Sequence, residues 1–164
     1  MLVPFENMPD NARVWVYQSS KKLSAAEIEF LQKSLNEQVG IWAAHGAPLT
    51  GSYKIDKNRF VIIAVDEKIN SVSGCSIDAS TGWLKSLGSE LGINFFDRSL
   101  AYLNNDEVCI AALPMIKTLV NEGSITENTV VFNNLVNTIS DLKQNWQVEA
   151  SKSWTKRYFI NQPV

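Results

Sequence analysis

The stretch VSGCSIDAS, residues 72–80, places a thiol and a carboxylate at a predicted junction between a loop and a helix. Backbone N–H groups at the start of a helix are unpaired, and together with the helix dipole they attract anions. A thiol in that field is more readily deprotonated, so Cys75 is the candidate nucleophile. The residues predicted to bind an anionic ligand in this stretch are Gly74, Cys75, Ser76 and Asp78.

A structural role competes with this interpretation. Gly74 permits the turn, and Ser76 or Asp78 caps the following helix. Cys75 is then a small residue of the kind that protein cores bury. Catalysis by cysteine usually needs a base, and the only histidine is His45, at the end of the first predicted helix. Because nothing local brings His45 near Cys75, the sequence favours the structural role.

Further polar residues stand beside predicted strands. Asp66-Glu67 closes a buried strand and Asp97-Arg98 precedes a hairpin, where carboxylates can bind Mg²⁺ or transfer protons. The competing interpretation is a loop cap or a surface ion pair. Asn133-Asn134 follows a strand and can hold a polar ligand with its amides, or form a turn. Arg98, Asn133 and Asn134 complete the set of predicted ligand-binding residues.

The sequence predicts no metal ion and no other cofactor. Tetrahedral zinc needs clustered ligands, whereas His45 and the two cysteines, Cys75 and Cys109, are distant and have unrelated spacing. As the last residue of a helix, His45 would instead complement the helix dipole.

Composition limits the class of protein. The chain has 164 residues, of which 45% are apolar and 20% charged, so it is long enough for a proper core and is not predicted to be disordered. The net charge of −2 argues against a dedicated nucleic-acid-binding role. The N-terminal residues do not resemble a secretory signal, and the longest apolar run, Phe60 to Val65, is too short to span a bilayer. With two cysteines and no CxxC spacing, we predict a reduced cytoplasmic protein.

The first part of the chain alternates between strand and helix patterns. Strands are predicted at Arg13 to Ser19, Gly51 to Asp56, Phe60 to Asp66, Leu100 to Leu103 and Glu107 to Ala111. One helix begins at a Ser24–Glu27 capping box and is predicted to run through Trp42 to a stop at Gly46. A second follows the VSGCSIDAS stretch and stops near Gly92.

This order of elements predicts an α+β fold. Residues 1–111 read β-α-β-β-α-β with one extra strand, an order similar to the ferredoxin-like arrangement. Residues 112–164 are predicted to form a smaller helix-strand appendage, which either stands apart or packs as one unit with the first part. The appendage holds a helix starting at Pro114, a strand at Thr129 to Phe132 and a last helix at Ser140 to Trp146.

The segment SWTKRYF, residues 153–159, interleaves aromatic and basic side chains. Single-stranded nucleic acid or an acidic peptide would fit such a pattern. Without a basic excess elsewhere, the sequence favours a segment that docks its aromatic rings on the domain and leaves its charges solvated.

Several fragments, among them FENMPDNARVWVYQS, NRFVIIAVDE, GCSID, FDR and VVFNNLV, make the chain resemble an uncharacterised family of small bacterial proteins often labelled "ABC transporter ATPase". Phosphate binding by such an ATPase requires the loop GxxxxGK[ST]. The sequence contains no Gly-Lys dipeptide, so ATPase activity is not predicted.

A second resemblance covers residues 107–132, EVCIAALPMIKTLVNEGSITENTVVF. The order of strand, helix, Gly-x-Ile and strand is similar to that of GYF-like modules. Such modules bind proline-rich peptides on an aromatic surface, which is what this resemblance implies. The Gly-Tyr-Phe tripeptide itself is absent from the sequence.

Together these patterns predict a small cytoplasmic binding or protein-interaction module. Its expected partner is a protein, a peptide or a small anionic ligand, with no membrane and no nucleic acid involved. The alternative is an enzyme that acts on an anionic substrate at the helix N-terminus near Cys75.

Overall fold

The computed structural model describes residues 1–68 and 74–160, with the backbone alone for residues 74–76. The strands are β1 (Arg13–Gln18), β2 (Ala43–Ala44), β3 (Ala47–Pro48), β4 (Thr50–Asp56), β5 (Phe60–Asp66), β6 (Leu100–Asn104), β7 (Glu107–Ala111), β8 (Val130–Phe132) and β9 (Gln147–Glu149). The helices are α1 (Ala25–Gly40), α2 (Gly74–Leu91), α3 (Ile116–Asn121) and α4 (Ile139–Asn145). Short 3₁₀ helices lie at Phe5–Asn7, Leu113–Met115, Ala150–Lys152 and Trp154–Tyr158. The predicted α+β class is confirmed.

A three-stranded antiparallel sheet, in the order β1-β5-β4, forms the first layer. Its central strand β5 is apolar from Phe60 to Val65 and buried throughout, as the sequence predicted. Because side chains alternate across a strand, Val61, Ile63 and Val65 face a core cluster that also holds leucines from α1 and α2. The alternate residues of β5 face a second cluster on the other side of the sheet.

A second sheet, in the order β7-β6-β8-β9, takes strands from both sides of residue 112. The ferredoxin-like arrangement predicted for residues 1–111 is not confirmed, because β6 pairs with β7 and β8 instead of joining the first sheet. Two isolated β-bridges connect β1 to later parts of the chain. Gln18 pairs with Phe96, before β6, and Arg13 pairs with Thr138, before α4.

An aromatic cluster packs the first sheet against the C-terminal part of the chain. The ring of Phe60 in β5 lies 4.8 Å from that of Phe132 and 5.0 Å from that of Trp146, between ring centroids. Phe132 and Trp146 are themselves 5.0 Å apart. All three side chains are buried, so the region after residue 112 supplies part of the core that covers β5.

The first helix is shorter than predicted. It begins at the predicted capping box, with Ser24 and Glu27 each accepting the other's backbone N–H, but it ends at Gly40. His45 and Gly46, at φ 51° and φ 80°, form the tight turn of the β2–β3 hairpin. The prediction that His45 ends a helix is therefore wrong, because Gly46 provides its positive φ for a hairpin turn instead of a helix stop.

The second helix begins earlier than the predicted cap. Because α2 already includes Gly74, neither Ser76 nor Asp78 is its N-cap, and that prediction is wrong. The helix ends at Leu91, and Gly92 follows it with φ 68°, which agrees with the predicted stop near Gly92. A Cβ at Gly88 would lie 2.4 Å from the Ile93 carbonyl oxygen, so the absence of a side chain there lets the chain turn back closely against the helix.

The C-terminal part follows the predicted order of helix, strand and helix, but strand β9, which was not predicted, lies between α4 and the tail. Pro114 lies in a 3₁₀ turn that leads into α3, and Thr138 caps α4 by accepting the Asp141 N–H. The aromatic-basic tail forms the 3₁₀ helix Trp154–Tyr158, in which Tyr158 packs partly against the core. Of the helices that the structure describes, none is both long and apolar enough to cross a membrane.

Candidate functional site

A cleft of about 630 Å³ lies where β1 ends, beside the aromatic cluster. Its walls come from five segments that are distant in the sequence: the end of β1, residues 95–100, the 3₁₀ helix that begins at Leu113, residues 132–135 at and after the end of β8, and the tail helix Trp154–Tyr158. The lining residues are Val16, Tyr17, Gln18, Phe95, Phe96, Asp97, Arg98, Ser99, Leu100, Leu113, Phe132, Asn133, Asn134, Leu135, Trp154 and Arg157.

Large apolar side chains form the rim of this cleft. Phe96, Leu113, Leu135 and Trp154 line it, with exposed fractions between 39% and 87%. Leu135, at 87%, is almost wholly in solvent. Scattered exposed leucines are ordinary, but apolar side chains gathered around one concavity are typical of a binding site.

The floor of the cleft is a chain of hydrogen-bonded amides. The Gln18 side chain is only 2% exposed and accepts a hydrogen bond from the Asn134 amide at 2.8 Å. The Gln18 amide donates to the Ser99 carbonyl at 3.0 Å and to the Asp97 carboxylate at 3.4 Å. Trp146 Nε1 completes the chain by donating to Asn134 Oδ1 at 2.9 Å. These bonds join β1 to both loops and so fix the shape of the floor.

Two of the polar lining residues stabilise their own loops. Asp97 Oδ1 accepts the Ser99 backbone N–H at 3.1 Å and the Ser99 hydroxyl at 2.8 Å. Asn133 Oδ1 accepts the Leu135 N–H at 3.1 Å. These are the side-chain-to-backbone turns that Asp and Asn commonly form. Asn133 thereby holds the loop that places the Leu135 side chain at the rim.

The charges of the lining are uneven. Arg98 is exposed, whereas the Arg157 guanidinium lies 5.6 Å from the Trp154 ring centroid and 5.0 Å from that of Tyr158. Arg157 also donates to the Tyr158 hydroxyl at 3.0 Å. Partial burial lowers the pKa of Arg59, and the negative charge of Asp97 opposes that shift. The Asp97 carboxylate therefore also acts on Arg59, a partly exposed cation outside the lining.

The structure brings together some of the predicted site residues and not others. Arg98, Asn133 and Asn134 all line the cleft. Asp78 is exposed on α2 and does not line it. Gly74, Cys75 and Ser76 are described by their backbone alone, so the Cys75 and Ser76 side chains lie outside what the structure describes. The predicted anion site on that helix therefore stays a prediction.

Other predicted candidates form ordinary surface contacts. Asp66 accepts the Lys68 N–H at 2.9 Å, and Glu67 lies 3.5 Å from Arg13. Within residues 1–68 and 74–160, no group of three His, Cys, Asp or Glu side chains is placed to hold a metal ion.

Sequence reasoning did not identify Gln18, Phe96, Leu113 and Leu135 as members of a site. One local signal existed for Leu135, an apolar residue directly after the turn-forming pair Asn133-Asn134. Gln18 gave none, because a glutamine at the end of a strand is normally solvated.

Comparison with known proteins gives no further assignment: no family model, no curated protein and no solved structure matches this chain. The resemblances described from the sequence therefore stay predictions. Fold and cleft define an α+β protein in which a cleft with an amide floor and an apolar rim lies beside antiparallel sheets of three and four strands.

Proposed function

We propose that the chain is a protein-interaction module whose cleft binds a short peptide segment carrying large apolar side chains. The observation that carries this proposal is the clustering of Phe96, Leu113, Leu135 and Trp154 around one cleft. Exposing these side chains to water is unfavourable, and a ligand that covers them gains the free energy of apolar burial.

The composition of the rim supports a peptide over a small cofactor. Interface hot spots are enriched in Trp and Arg, and both stand side by side here as Trp154 and Arg157. Small-molecule sites enclose most of their ligand, whereas Leu135 and Trp154 stand out from the cleft into solvent. A partner must therefore reach over the rim as well as into the cleft.

The amide floor supports the same function. Ser99, Asp97 and Asn134 are held by the buried Gln18, so both loops are organised before any ligand arrives. A preformed site loses less conformational entropy on binding than a flexible one.

The test uses selection from a displayed library of random peptides, followed by fluorescence titration of the enriched peptides. We expect enriched sequences to carry aromatic or large aliphatic residues and to bind with micromolar affinity. Leu135→Asp should weaken that binding by about tenfold or more, because it places a charge on the apolar rim. Ile41→Asp is the matched control, since Ile41 is 83% exposed and does not line the cleft.

Two outcomes would contradict the proposal. One is that no peptide is enriched over background in repeated selections. The other is that Leu135→Asp and Ile41→Asp weaken the selected peptides equally. Both residues are highly exposed, so neither variant is expected to lose its fold.

A further inference from the structure

We infer that the peptide bound in the cleft is acidic as well as apolar, with its carboxylates bound by Arg98 and Arg157. This inference rests on the proposed function and specifies the chemistry of its ligand. The inference follows from the charged side chains that line the cleft and from the partners that each of them has.

Among the described residues that line the cleft, Asp97 is the one acidic side chain, and its oxygens already accept hydrogen bonds. Oδ1 accepts both Ser99 hydrogen bonds, and Oδ2 lies 3.4 Å from the Gln18 amide nitrogen. Its charge also acts on Arg59. The hydrogen-bonding capacity of Asp97 is therefore used within the fold, and Asp97 forms no salt bridge with either arginine of the lining.

The two arginines keep their charge available. In the part of the chain that the structure describes, neither Arg98 nor Arg157 lies within ion-pair distance of a carboxylate. Arg157 is held by two aromatic rings and one hydrogen bond to a phenol, none of which cancels a positive charge. Among the described residues, the lining thus has two arginines and one carboxylate, and neither arginine is held in an ion pair.

A carboxylate is the group that such a site recognises. Guanidinium groups bind carboxylates through two parallel N–H donors, and these charge-assisted bonds are stronger than neutral ones. Contact with the Trp154 and Tyr158 rings already restricts the Arg157 side chain. That side chain therefore loses less conformational entropy when a ligand binds. Since the whole chain carries a net charge of −2, a positive cleft stands out from its surface and steers an acidic segment towards it.

Nucleic acid shares the negative charge but fits the lining less well. Single-stranded nucleic acid is bound along a basic track with aromatic platforms for successive bases. Here the lining supplies two arginines, and two of the four rim residues, Leu113 and Leu135, are aliphatic. An acidic peptide with apolar side chains matches both the charge and the rim.

The test compares two synthetic peptides with blocked ends. In the first, Phe and Trp alternate with Asp, and in the second each Asp is replaced by Asn. We expect the Asp peptide to bind the full chain about tenfold more tightly at low salt. That preference should shrink at about 1 M salt, where the Debye length is about 3 Å. Arg98→Ala and Arg157→Ala should each reduce the preference, and the double variant should abolish it.

Lys33→Ala is the matched control, because Lys33 is an exposed cation on α1 that does not line the cleft. It should leave the preference for the Asp peptide unchanged. Arg157→Lys tests geometry, since a lysine keeps the charge but loses the planar pair of donors. We expect the Arg157→Lys variant to prefer the Asp peptide more than Arg157→Ala does, but less than the parent protein does.

The outcomes separate this inference from the proposed function. If both peptides bind equally and Leu135→Asp weakens both, the cleft binds apolar peptides and the inference about charge is wrong. If neither peptide binds while library selection also fails, the proposed function itself is wrong. If a short single-stranded oligonucleotide binds more tightly than the Asp peptide, the ligand is nucleic acid and the inference is overturned.

Discussion

At the scale of single residues, Gln18 is the side chain on which the candidate site depends most. It is buried, and its amide makes hydrogen bonds to both loops of the cleft. A buried polar group destabilises the fold unless it is hydrogen-bonded. Removing such a group likewise destabilises the fold, because its former partners lose their hydrogen bonds. Gln18 is therefore a positioning residue for the cleft.

Replacing Gln18 by Leu should lower the free energy of unfolding by about 1–3 kcal/mol, because the Asn134 side-chain NH₂ group and the Ser99 carbonyl would each lose a hydrogen-bond partner at a partly buried position. Urea denaturation followed by circular dichroism measures this change. Gln144→Leu is the control, since Gln144 is exposed on α4 and should change stability by less than about 0.5 kcal/mol. Equal stabilities for the two variants would show that the buried amide chain contributes nothing to stability.

At the scale of secondary structure elements, the two long helices begin differently. At the start of α1, the hydrogen bond from the Ser24 N–H lowers the pKa of Glu27, and Lys21 adds to this effect. In α2, Asp78 lies one turn inside the helix that already includes Gly74. The two residues Ser24 and Asp78 should therefore respond differently to the same substitution.

Ser24→Ala should destabilise the protein by about 1 kcal/mol, the usual effect of losing an N-cap. Asp78→Ala should change stability by less than about 0.5 kcal/mol, as expected for an exposed residue with no capping role. Thermal unfolding of both variants beside the parent protein measures the difference. If Asp78→Ala lowered the stability as much as Ser24→Ala does, Asp78 would stabilise the start of its helix after all.

The elements were largely predictable from the sequence, and the reasons are local. Phe60–Asp66 and Glu107–Ala111 were predicted to the residue, because β-branched residues and turn residues mark their limits. The first helix was extended too far because Trp42 continues its apolar spacing and packs in the same cluster as Leu31 and Leu35. Periodicity cannot distinguish a last helical turn from a following residue that reaches the same core.

At the scale of the whole molecule, three core clusters are connected through shared strands. The first cluster contains Val61, Ile63 and Val65 of β5, and the second contains Phe60, Ile62 and Ala64 of the same strand. The second and third clusters share strand β8 through Phe132 and Val131. This connection leads us to expect one cooperative unit, although the sequence alone left a separate appendage open.

Two matched substitutions test that expectation. Ile63→Val in the first cluster and Ile125→Val in the third remove one methylene each from residues that are at most 1% exposed. Each substitution should lower the free energy of unfolding by about 0.5–1.5 kcal/mol. It should also shift the whole urea unfolding transition to lower urea concentration. If each variant instead displaced one of two separate transitions, residues 1–111 and 112–164 would be distinct folding units.

The cleft was only partly predictable, because it exists through tertiary structure. Arg98, Asn133 and Asn134 were identified from their positions beside strands, but nothing in the sequence indicates that they share a wall with Gln18. That proximity arises from the pairing of β6 with β8 and from the hydrogen bond between Gln18 and Asn134. The Gln18–Asn134 bond joins residues 116 positions apart, and the pattern of neighbouring residues carries no information about such a contact.

The cleft unites residues 16–18 with residues 154 and 157, and this has a consequence for protein synthesis. A ribosome makes β1 before the tail helix, so the cleft lacks Trp154 and one of its two arginines until residue 157 has been added. Nascent chains that stop short of residue 154, and fragments cleaved before it, carry an incomplete site. Through the proposed function, a partner would thereby distinguish chains that extend through residue 157 from shorter ones without any additional checkpoint.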